Sequence, residues 1–200
     1  MTRAANVELP DRIIEEAERV VVSEGHQRIN MRRLAGAVGV SATAIYHYFQ
    51  SKEAILRKLR IRAAEKLNDR IRAIDPRLPP REFLGELGHH YLAYAQENPN
   101  QYRLLFEAPF DEREEAEDHP VLYFTYLAAR SALERMAAQG RRMPDPRHGA
   151  MMGWMMLHGF CSLMMSGLLP LAEGMTRESL QALFMRYYSE GPNAGATGPA

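Results

Sequence analysis

The feature that most constrains the fold is an uncharged stretch of 25 residues, His148 to Ala172, with the sequence HGAMMGWMMLHGFCSLMMSGLLPLA. It contains no Asp, Glu, Lys or Arg, and six of its residues are Met. At about 1.5 Å per residue, a helix of this length is long enough to cross a bilayer. A helix that is apolar on every face has to be buried on every face, either in lipid or in protein.

Several properties of the stretch argue against a membrane helix. His158 lies at its centre, Pro170 interrupts the apolar run, and Arg147 and Glu173 are poor anchors at its ends. A soluble helix that packs on its own core with one face and on a twin subunit with another satisfies the same pattern. Gly149 and Gly153, four residues apart, would permit close approach of another helix, so we expect Gly153→Leu to disrupt assembly.

Metal sites are the second alternative for this part of the chain. His158 and Cys161, with Met sulfurs nearby, suggest copper, but two ligands on one helix are too few. Glu86 and His89 have the spacing of a di-iron motif, but such sites need the motif twice and the chain contains it once. We therefore predict no metal and no cofactor, and we interpret Met as a filler of adaptable apolar packing.

Composition places the chain among soluble globular proteins, with 46% hydrophobic and 25% charged residues. The single cysteine excludes an internal disulfide and fits a reducing cytosol. The N-terminus, MTRAANVELPDR, has no apolar run typical of a secretory signal, so we expect a cytoplasmic protein. Residues 1–72 carry 14 basic and 9 acidic side chains, whereas residues 73–200 carry 11 and 16. This asymmetry suggests that the N-terminal part of the chain binds anions. The excess is modest, so chance is the alternative explanation.

Apolar residues recur with helical period along the whole chain, which predicts an all-α fold of about nine helices. The break DPRLPP, residues 75–80, marks the domain boundary. We predict a helix-turn-helix domain over 1–56 whose fourth helix continues to about 74, an effector-binding and dimerisation domain over 75–190, and a disordered tail over 191–200. The predicted helices span about 10–25, 31–38, 42–49, 52–73, 81–98, 99–108, 121–140, 148–169 and 177–190, with a solvated acidic loop at 109–120.

The segment MRRLAGAVGVSATAIYHYFQSKEAIL has the spacing of a helix-turn-helix. Ala35 is small enough for two helices to approach, and Gly39 supplies the left-handed backbone of a tight turn. Val40 fills the angle between the helices, and Ser41 begins the second helix as its cap. The pattern therefore predicts a DNA-binding motif, with a small helical hairpin as the alternative.

The two faces of the second helix in this motif differ in chemistry. Ile45 and Phe49 are four residues apart and are expected to face inward. Thr43, Tyr46 and His47 share the opposite face, which has polar tips and no apolar stripe to bury. A recognition helix in a major groove requires this arrangement.

Phosphate contacts are predicted where helices begin, because free N–H groups and the positive end of the helix dipole attract anions. Asn30, Ser41 and Lys52 lie at three such positions, and Arg32 and Arg33 flank the first. These residues complete the predicted DNA-binding set.

In AGAVGVSATAIYHYFQSKEAIL the chain resembles the TetR family of bacterial transcriptional regulators, whose pattern is A-x3-G-V-S, then Y-x-x-F, then K-E-x-L. The positions that depart from common family residues are Asn30, Ala42, Ala44 and His47. The resemblance then implies that base contacts rest mainly on Thr43, Tyr46 and either Arg32 or Arg33.

Farther along, NPNQYRLLFEAPF and the spacing W-x3-HG at Trp154, His158 and Gly159 are similar to a TetR-family C-terminal domain type named for its Trp and His-Gly motif. This resemblance implies a body that dimerises, here through the eighth and ninth predicted helices, and binds a small effector. Each candidate effector residue has plain core packing as its alternative role. The candidates are Tyr91, Tyr94, Tyr102, Phe106, Trp154 and His158.

These features together predict a homodimeric DNA-binding repressor. It would leave a palindromic operator when a small apolar or aromatic effector binds, with the fourth helix joining head to body. One alternative is a regulator that activates or has no ligand. Another is a helical metal- or cofactor-binding protein or enzyme with an incidental helix-turn-helix. Against an enzyme, the sequence offers no nucleophile–base pairing, no phosphate-binding glycine loop and no paired carboxylates in an apolar setting.

Overall fold

The computed structural model describes residues 8–108, 119–140, 145–168 and 174–190. Every regular element in these ranges is a helix, which confirms the predicted fold class. A short 3-10 helix, His26–Arg28, follows the first α-helix. The α-helices are α1 Leu9–Glu24, α2 Met31–Val38, α3 Ala42–Tyr48, α4 Lys52–Arg72, α5 Pro80–Glu97, α6 Pro99–Glu107, α7 His119–Leu122, α8 Phe124–Ala138, α9 Pro146–Ser166 and α10 Arg177–Glu190.

Two helix boundaries differ from the sequence prediction by more than two residues or in kind. The predicted seventh helix is divided at Tyr123, whose φ of −97° and ψ of 8° interrupt the helix and separate α7 from α8. Helix α9, which contains most of the uncharged stretch, ends at Ser166 because Gly167 adopts a left-handed conformation with φ of 71°. Pro170, where that helix was predicted to stop, lies outside the described residues, as do 109–118 of the acidic loop and the tail 191–200.

The helices group into two compact units by their internal contacts. The head unit comprises residues 1–66 and 98–122, and the body unit comprises residues 67–97 and 123–200. Helix α4 belongs to the head up to Lys66 and to the body from Leu67 onward. Helix α6 therefore groups with the head, whereas the sequence prediction assigns everything from 75 to 190 to one effector-binding domain.

The head unit is built around a single apolar core. Helix α1 contributes a buried stripe at helical spacing, and α2, α3 and the first half of α4 close around it. Leu104 and Ala108, from α6 and its end, belong to the same core. At the surface, Glu18 joins α1 to α4 because its carboxylate accepts hydrogen bonds from Arg62 at 3.1 Å and Lys66 at 2.6 Å.

Glycines let the helices of the body unit approach closely. A Cβ atom at Gly88 would lie 3.0 Å from the Tyr188 ring, and one at Gly153 would lie 3.4 Å from the same ring. A Cβ at Gly149 would lie 3.1 Å from Leu133 Cδ1. Gly149 and Gly153 of α9 thus face helices of their own chain. We therefore expect a leucine at position 153 to disturb the packing of α9 against α10 within one chain, and any effect of Gly153→Leu on assembly to follow from that disturbance.

Candidate nucleic-acid interface

The turn between α2 and α3 has the predicted geometry. Gly39 adopts φ of 77° and ψ of 33°, the left-handed region that L side chains rarely occupy. Its N–H donates to the carbonyl of Gly36 at 3.3 Å, and the N–H of Val40 donates to the carbonyl of Ala35 at 2.9 Å. The carbonyls at the end of α2 are thereby satisfied, and the chain reverses directly into α3.

The two faces of α3 are divided as the sequence predicts. Ile45 and Phe49 are buried in the head core. Thr43, Tyr46 and His47 are exposed, and Tyr46 has 51% of its surface accessible although it is aromatic. This exposed face, which carries polar tips on Thr43, Tyr46 and His47, suits insertion into a major groove.

Side-chain caps fix the beginnings of α2 and α3. Asn30 Oδ1 accepts hydrogen bonds from the backbone N–H groups of Arg32 at 3.0 Å and Arg33 at 3.2 Å. Ser41 Oγ accepts from the N–H of Ala44 at 3.2 Å. Both predicted caps are confirmed, and both capping residues are exposed at the ends where anions bind most favourably.

Arg33 makes a contact that the sequence did not indicate. Its guanidinium forms a two-pronged pair with the carboxylate of Glu24 at the end of α1, with Nη1 donating to Oε2 at 2.8 Å and Nη2 donating to Oε1. This hydrogen bonding lowers the pKa of Glu24 from its ordinary value. The structure therefore engages Arg33 with a carboxylate, and Arg32, which is exposed, is the better placed of the two arginines to meet DNA.

Lys52 begins α4, immediately after the cap Ser51, whose Oγ accepts from the N–H of Ala54 at 3.2 Å. The Lys52 ammonium group donates to the backbone carbonyl of Gln27 at 3.4 Å. This long hydrogen bond positions a cation at a helix N-terminus, where its charge adds to that of the helix dipole.

We expect Lys52→Ala to weaken binding to every DNA sequence by a similar factor. Loss of one phosphate contact per subunit makes the plot of log affinity against log salt concentration shallower by about one unit for each contact. Titrations of operator and unrelated duplexes at several salt concentrations measure this. Lys66→Ala, which removes a lysine of the same helix that pairs with Glu18, is the control. Equal slopes for Lys52→Ala and wild type would disprove the phosphate contact.

His26 lies buried in the head unit between α1 and α2. Among the described residues its Nδ1 atom has no hydrogen-bond partner. Burial lowers the pKa of His26, Glu107 opposes this shift, and the positive charges of Lys52, Arg60 and Arg103 add to it. The folded head therefore favours the neutral imidazole.

This environment predicts a pH dependence of stability. Because the pKa of His26 in the folded chain lies below its value in the unfolded chain, the unfolded chain binds the proton more readily. The stabilisation is complete above the ordinary histidine pKa of about 6.5 and is lost as the pH falls below it, by at most about 1.4 kcal/mol per pH unit.

Urea unfolding of wild type and His26→Gln between pH 8 and pH 5 measures this dependence. The difference between their free energies of unfolding should shift in favour of the variant as the pH falls. The exposed His89, changed to Gln, is the control. A difference that stays constant with pH would show that His26 does not titrate as its burial implies.

In the body unit, the candidate effector residues fall into two environments. Tyr91 and Tyr94 of α5 are fully buried. Trp154 of α9 is half-buried, and its ring centroid lies 5.8 Å from that of Tyr123 and 6.4 Å from that of Tyr126. Sequence reasoning missed both tyrosines as neighbours of Trp154. Their spacing of three residues at the start of a predicted helix was the available signal.

The remaining candidates are divided between the two units. His158 is half-buried in the body unit, with Nε2 at 3.5 Å from Ser162 Oγ. Tyr102 and Phe106 belong to α6 in the head unit, where their ring centroids are 4.9 Å apart and Tyr102 is buried. Four of the six candidates thus share the body unit with Tyr123 and Tyr126.

Helix α9 is buried on one side only within its own chain. Leu157, Phe160 and Cys161 are among its buried residues. The opposite face is exposed and apolar, and α10 also leaves large apolar side chains exposed. The exposed residues are Met151, Met152, Met155, Met156 and Leu163 of α9 and Leu183 and Tyr187 of α10.

Two observations bear on the membrane and metal-site interpretations of the stretch that forms α9. No helix in the described ranges is both long enough and apolar enough to cross a membrane. Over the same ranges, no three His, Cys, Asp or Glu side chains come together as a group able to hold a metal ion.

Two family models match separate parts of the chain and together cover most of it. The model for bacterial regulatory proteins of the tetR family matches residues 13–59. The model for the tetracyclin repressor-like C-terminal domain matches residues 84–187, a range that includes Trp154 and His158.

Individual relatives agree with these matches. A nucleoid occlusion factor, SlmA of Glaesserella parasuis, is 30% identical over 112 residues, which are 50% of this chain and 54% of that protein. The chain spans about half the length of the first curated relatives that it matches. Among solved structures, the TetR family regulator PfmR of Thermus thermophilus has a TM-score of 0.65 at 22% identity, covering 91% of this chain and 99% of that one.

The Bacillus subtilis transcriptional regulator FadR, solved in complex with stearoyl-CoA, has a TM-score of 0.68 at 18% identity, covering 90% of this chain and 97% of that one. At these identities the solved structures show the fold alone, and the family assignment rests on the two family models. With a helix-turn-helix of the expected geometry and more than half of its length matched by the C-terminal model, the chain belongs to the TetR family of bacterial DNA-binding transcriptional regulators.

Proposed function

We propose that the protein is a homodimeric cytoplasmic repressor that leaves a palindromic operator when a small apolar or aromatic effector binds to its body. The observation that carries this proposal is the outer face of α3, where Thr43, Tyr46 and His47 are exposed while Ile45 and Phe49 hold the helix in the head core. Rigid anchoring on one side and polar tips on the other are what base recognition requires.

The residues around α3 take distinct roles in this proposal. Thr43 and Tyr46 contact base edges in the major groove, and His47 contacts the backbone or a base. The capped helix beginnings at Asn30 and Ser41 bind phosphates through N–H groups, and Arg32 and Lys52 add positive charge. Arg33 contributes to DNA binding only where a phosphate displaces the carboxylate of Glu24 from its guanidinium. It is therefore expected to add less affinity than any other residue of the predicted DNA-binding set.

The dimer would form through α9 and α10. Five exposed large apolar residues on a single helix exceed the scattered apolar residues of an ordinary protein surface. Methionine and aromatic side chains are enriched where protein surfaces associate. A dimer of this kind that reads two inverted half-sites presents its recognition helices about one turn of DNA, roughly 34 Å, apart.

The effector site proposed here is the aromatic group of Trp154, Tyr123 and Tyr126 with His158 nearby on the same helix. Such a group offers apolar surface with a few polar tips, the usual composition of a small-molecule site. That the structurally similar FadR of Bacillus subtilis was solved with stearoyl-CoA makes long-chain acyl compounds one class to test. Release of DNA follows if the effector binds more tightly to the conformer that fits the operator poorly.

Selection of bound duplexes from a random DNA pool tests the central proposal. We expect enrichment of one sequence with two inverted half-sites, and lower expression of a reporter gene placed behind it. A single half-site would contradict the dimeric arrangement, and enhanced reporter expression would contradict repression. Absence of any enriched sequence would overturn sequence-specific binding.

Trp154 is the only tryptophan of the chain, so its fluorescence reports on the proposed effector site. Titration with stearoyl-CoA and with aromatic acids should quench or shift the emission for the class that binds. The same class should release the operator in a mobility-shift assay. A ligand that releases DNA while leaving Trp154 emission unchanged would place the effector site elsewhere.

A further inference from the structure

The carboxylate of Glu24 occupies the guanidinium of Arg33 at the place where α2 begins. Glu24 is the last residue of α1, and Arg33 lies in the first turn of α2. Nη1 donates to Oε2 at 2.8 Å and Nη2 donates to Oε1, so both carboxylate oxygens are used. An arginine binds two oxygens of a phosphate with the same fork of parallel hydrogen bonds. A DNA phosphate and the Glu24 carboxylate would therefore compete for the same two donors.

The surroundings of this carboxylate are those expected of a phosphate site. The hydrogen bonds from Arg33 hold the pKa of Glu24 below its ordinary value, and the positive charge of Arg28 adds to this effect. Glu24 is therefore ionised at neutral pH. The first N–H groups of α2, which carry the positive end of its helix dipole, are close in sequence to the same arginine. A negative group from the chain itself thus lies where the free head would attract the DNA backbone.

The ion pair is open to solvent. The side chain of Arg33 is 49% accessible and that of Glu24 is 39% accessible. Exposed ion pairs add little stability, because water solvates the separated charges almost as well as they solvate each other. A phosphate at the beginning of α2 can consequently displace the carboxylate without disturbing the apolar core of the head.

The exchange of anions at Arg33 nevertheless weakens binding. The number of ion pairs stays the same, and the displaced carboxylate remains beside the DNA, where like charges repel. An arginine without a carboxylate partner would instead bring a full positive charge to the backbone. Each phosphate neutralised in this way steepens the plot of log affinity against log salt concentration by about 0.9. If this term vanishes at about 1 M salt, each contact adds about eightfold in affinity at about 0.1 M salt.

We propose that Glu24 is an affinity-determining residue of the head, which holds the place of a DNA phosphate at Arg33 and thereby weakens binding to DNA of every sequence. The inference rests on the proposed function, which puts the beginning of α2 at the DNA backbone. It gives a role to α1, a helix that carries none of the predicted DNA-binding residues. Because backbone contacts carry no sequence information, the competition reduces the number of molecules held at unrelated sites.

Titration of a nonspecific duplex with full-length Glu24→Gln tests this role, since glutamine keeps the shape of the side chain and removes its charge. The variant should bind about eightfold more tightly for each contact at about 0.1 M salt, with a slope steeper by about one unit for each contact. Glu97→Gln is the matched control, because it removes an equal charge and frees Arg70 from an ion pair in the body unit. A general effect of net charge is screened by salt, so this control should bind within about twofold of the wild type.

Arg33→Gln separates competition from general repulsion of DNA by a carboxylate. In that background, Glu24→Gln should raise the affinity by only about twofold, because no guanidinium is left to release and a remaining charge effect is screened. Circular dichroism verifies the helix content of each variant. An equal gain from Glu24→Gln with and without Arg33 would overturn the competition. Wild-type affinity and slope in Glu24→Gln would overturn any role of Glu24.

The role of Glu24 and the proposed repressor fail separately. If no operator is selected from random DNA, the repressor proposal fails, and the nonspecific titrations still decide whether Glu24 competes with phosphate. If an operator is selected but Glu24→Gln binds DNA as the wild type does, the role of Glu24 fails and the repressor proposal stands. A wild-type protein that binds no duplex even at low salt would overturn both.

Discussion

Replacing Met152 and Met156 with glutamate is expected to produce a folded monomer that binds the operator at least about a hundredfold more weakly than the wild type does. Both side chains are exposed on the single chain, so the charges cost little in the monomer. In the proposed dimer the same charges would be buried against apolar partners, which is strongly unfavourable. A monomer also loses the gain in affinity, about a hundredfold or more, that comes from binding two half-sites at once.

Sedimentation velocity measures assembly of this double variant, circular dichroism verifies its helix content, and titration measures operator affinity. Leu127→Glu is the matched control, because Leu127 is an exposed leucine on α8. That control should remain dimeric with wild-type affinity. A double variant that sediments as a dimer would show that the methionine face of α9 is not the interface.

Replacing Tyr46 with alanine is expected to abolish most of the preference for operator over unrelated DNA. A good contact to a base contributes about 1–3 kcal/mol of discrimination, which corresponds to roughly fivefold to 150-fold for each half-site. A dimer makes the Tyr46 contact at each of two half-sites, so the two losses of discrimination multiply. Binding to unrelated DNA, which depends on phosphate contacts, should change little.

Tyr48 provides a matched control on the same helix, since its side chain is 53% exposed against 51% for Tyr46. The two residues are two positions apart, so they point in different directions around α3. Tyr48→Ala should leave the ratio of specific to nonspecific affinity unchanged. If both variants lowered this ratio equally, Tyr46 would have no special role in base recognition.

The features that could be predicted from the sequence are those that depend on residues close together in the chain. The caps at Asn30 and Ser41 and the turn at Gly39 each involve residues within about five positions, so a short pattern specifies them. The burial of Ile45 and Phe49 follows from helical spacing. This local determination explains why the turn, the two caps and the exposed face of α3 could be predicted from residues alone.

The parts that were missed depend on contacts across long stretches of chain. The pairing of Arg33 with Glu24 follows from how α1 and α2 meet, and the burial of Arg60 depends on carbonyls 44 and 48 residues away. Nothing in local spacing separates a buried arginine on α4 from its exposed neighbours. The effector candidates could not be separated from core residues for the same reason. Aromatic residues recur with the same helical spacing whether they line a pocket or pack in a core.

The grouping of α6 with the head has a consequence for exchanging domains between regulators of this fold. Leu104 and Ala108 complete the core that α1, α2, α3 and α4 begin, so the DNA-binding module is discontinuous in sequence. A fragment cut after residue 74 would expose that core to water, and a hybrid joined there would combine a head with a foreign α6. Recombination that preserves the module has to transfer two segments together, residues up to Lys66 and those from Asn98 to Leu122.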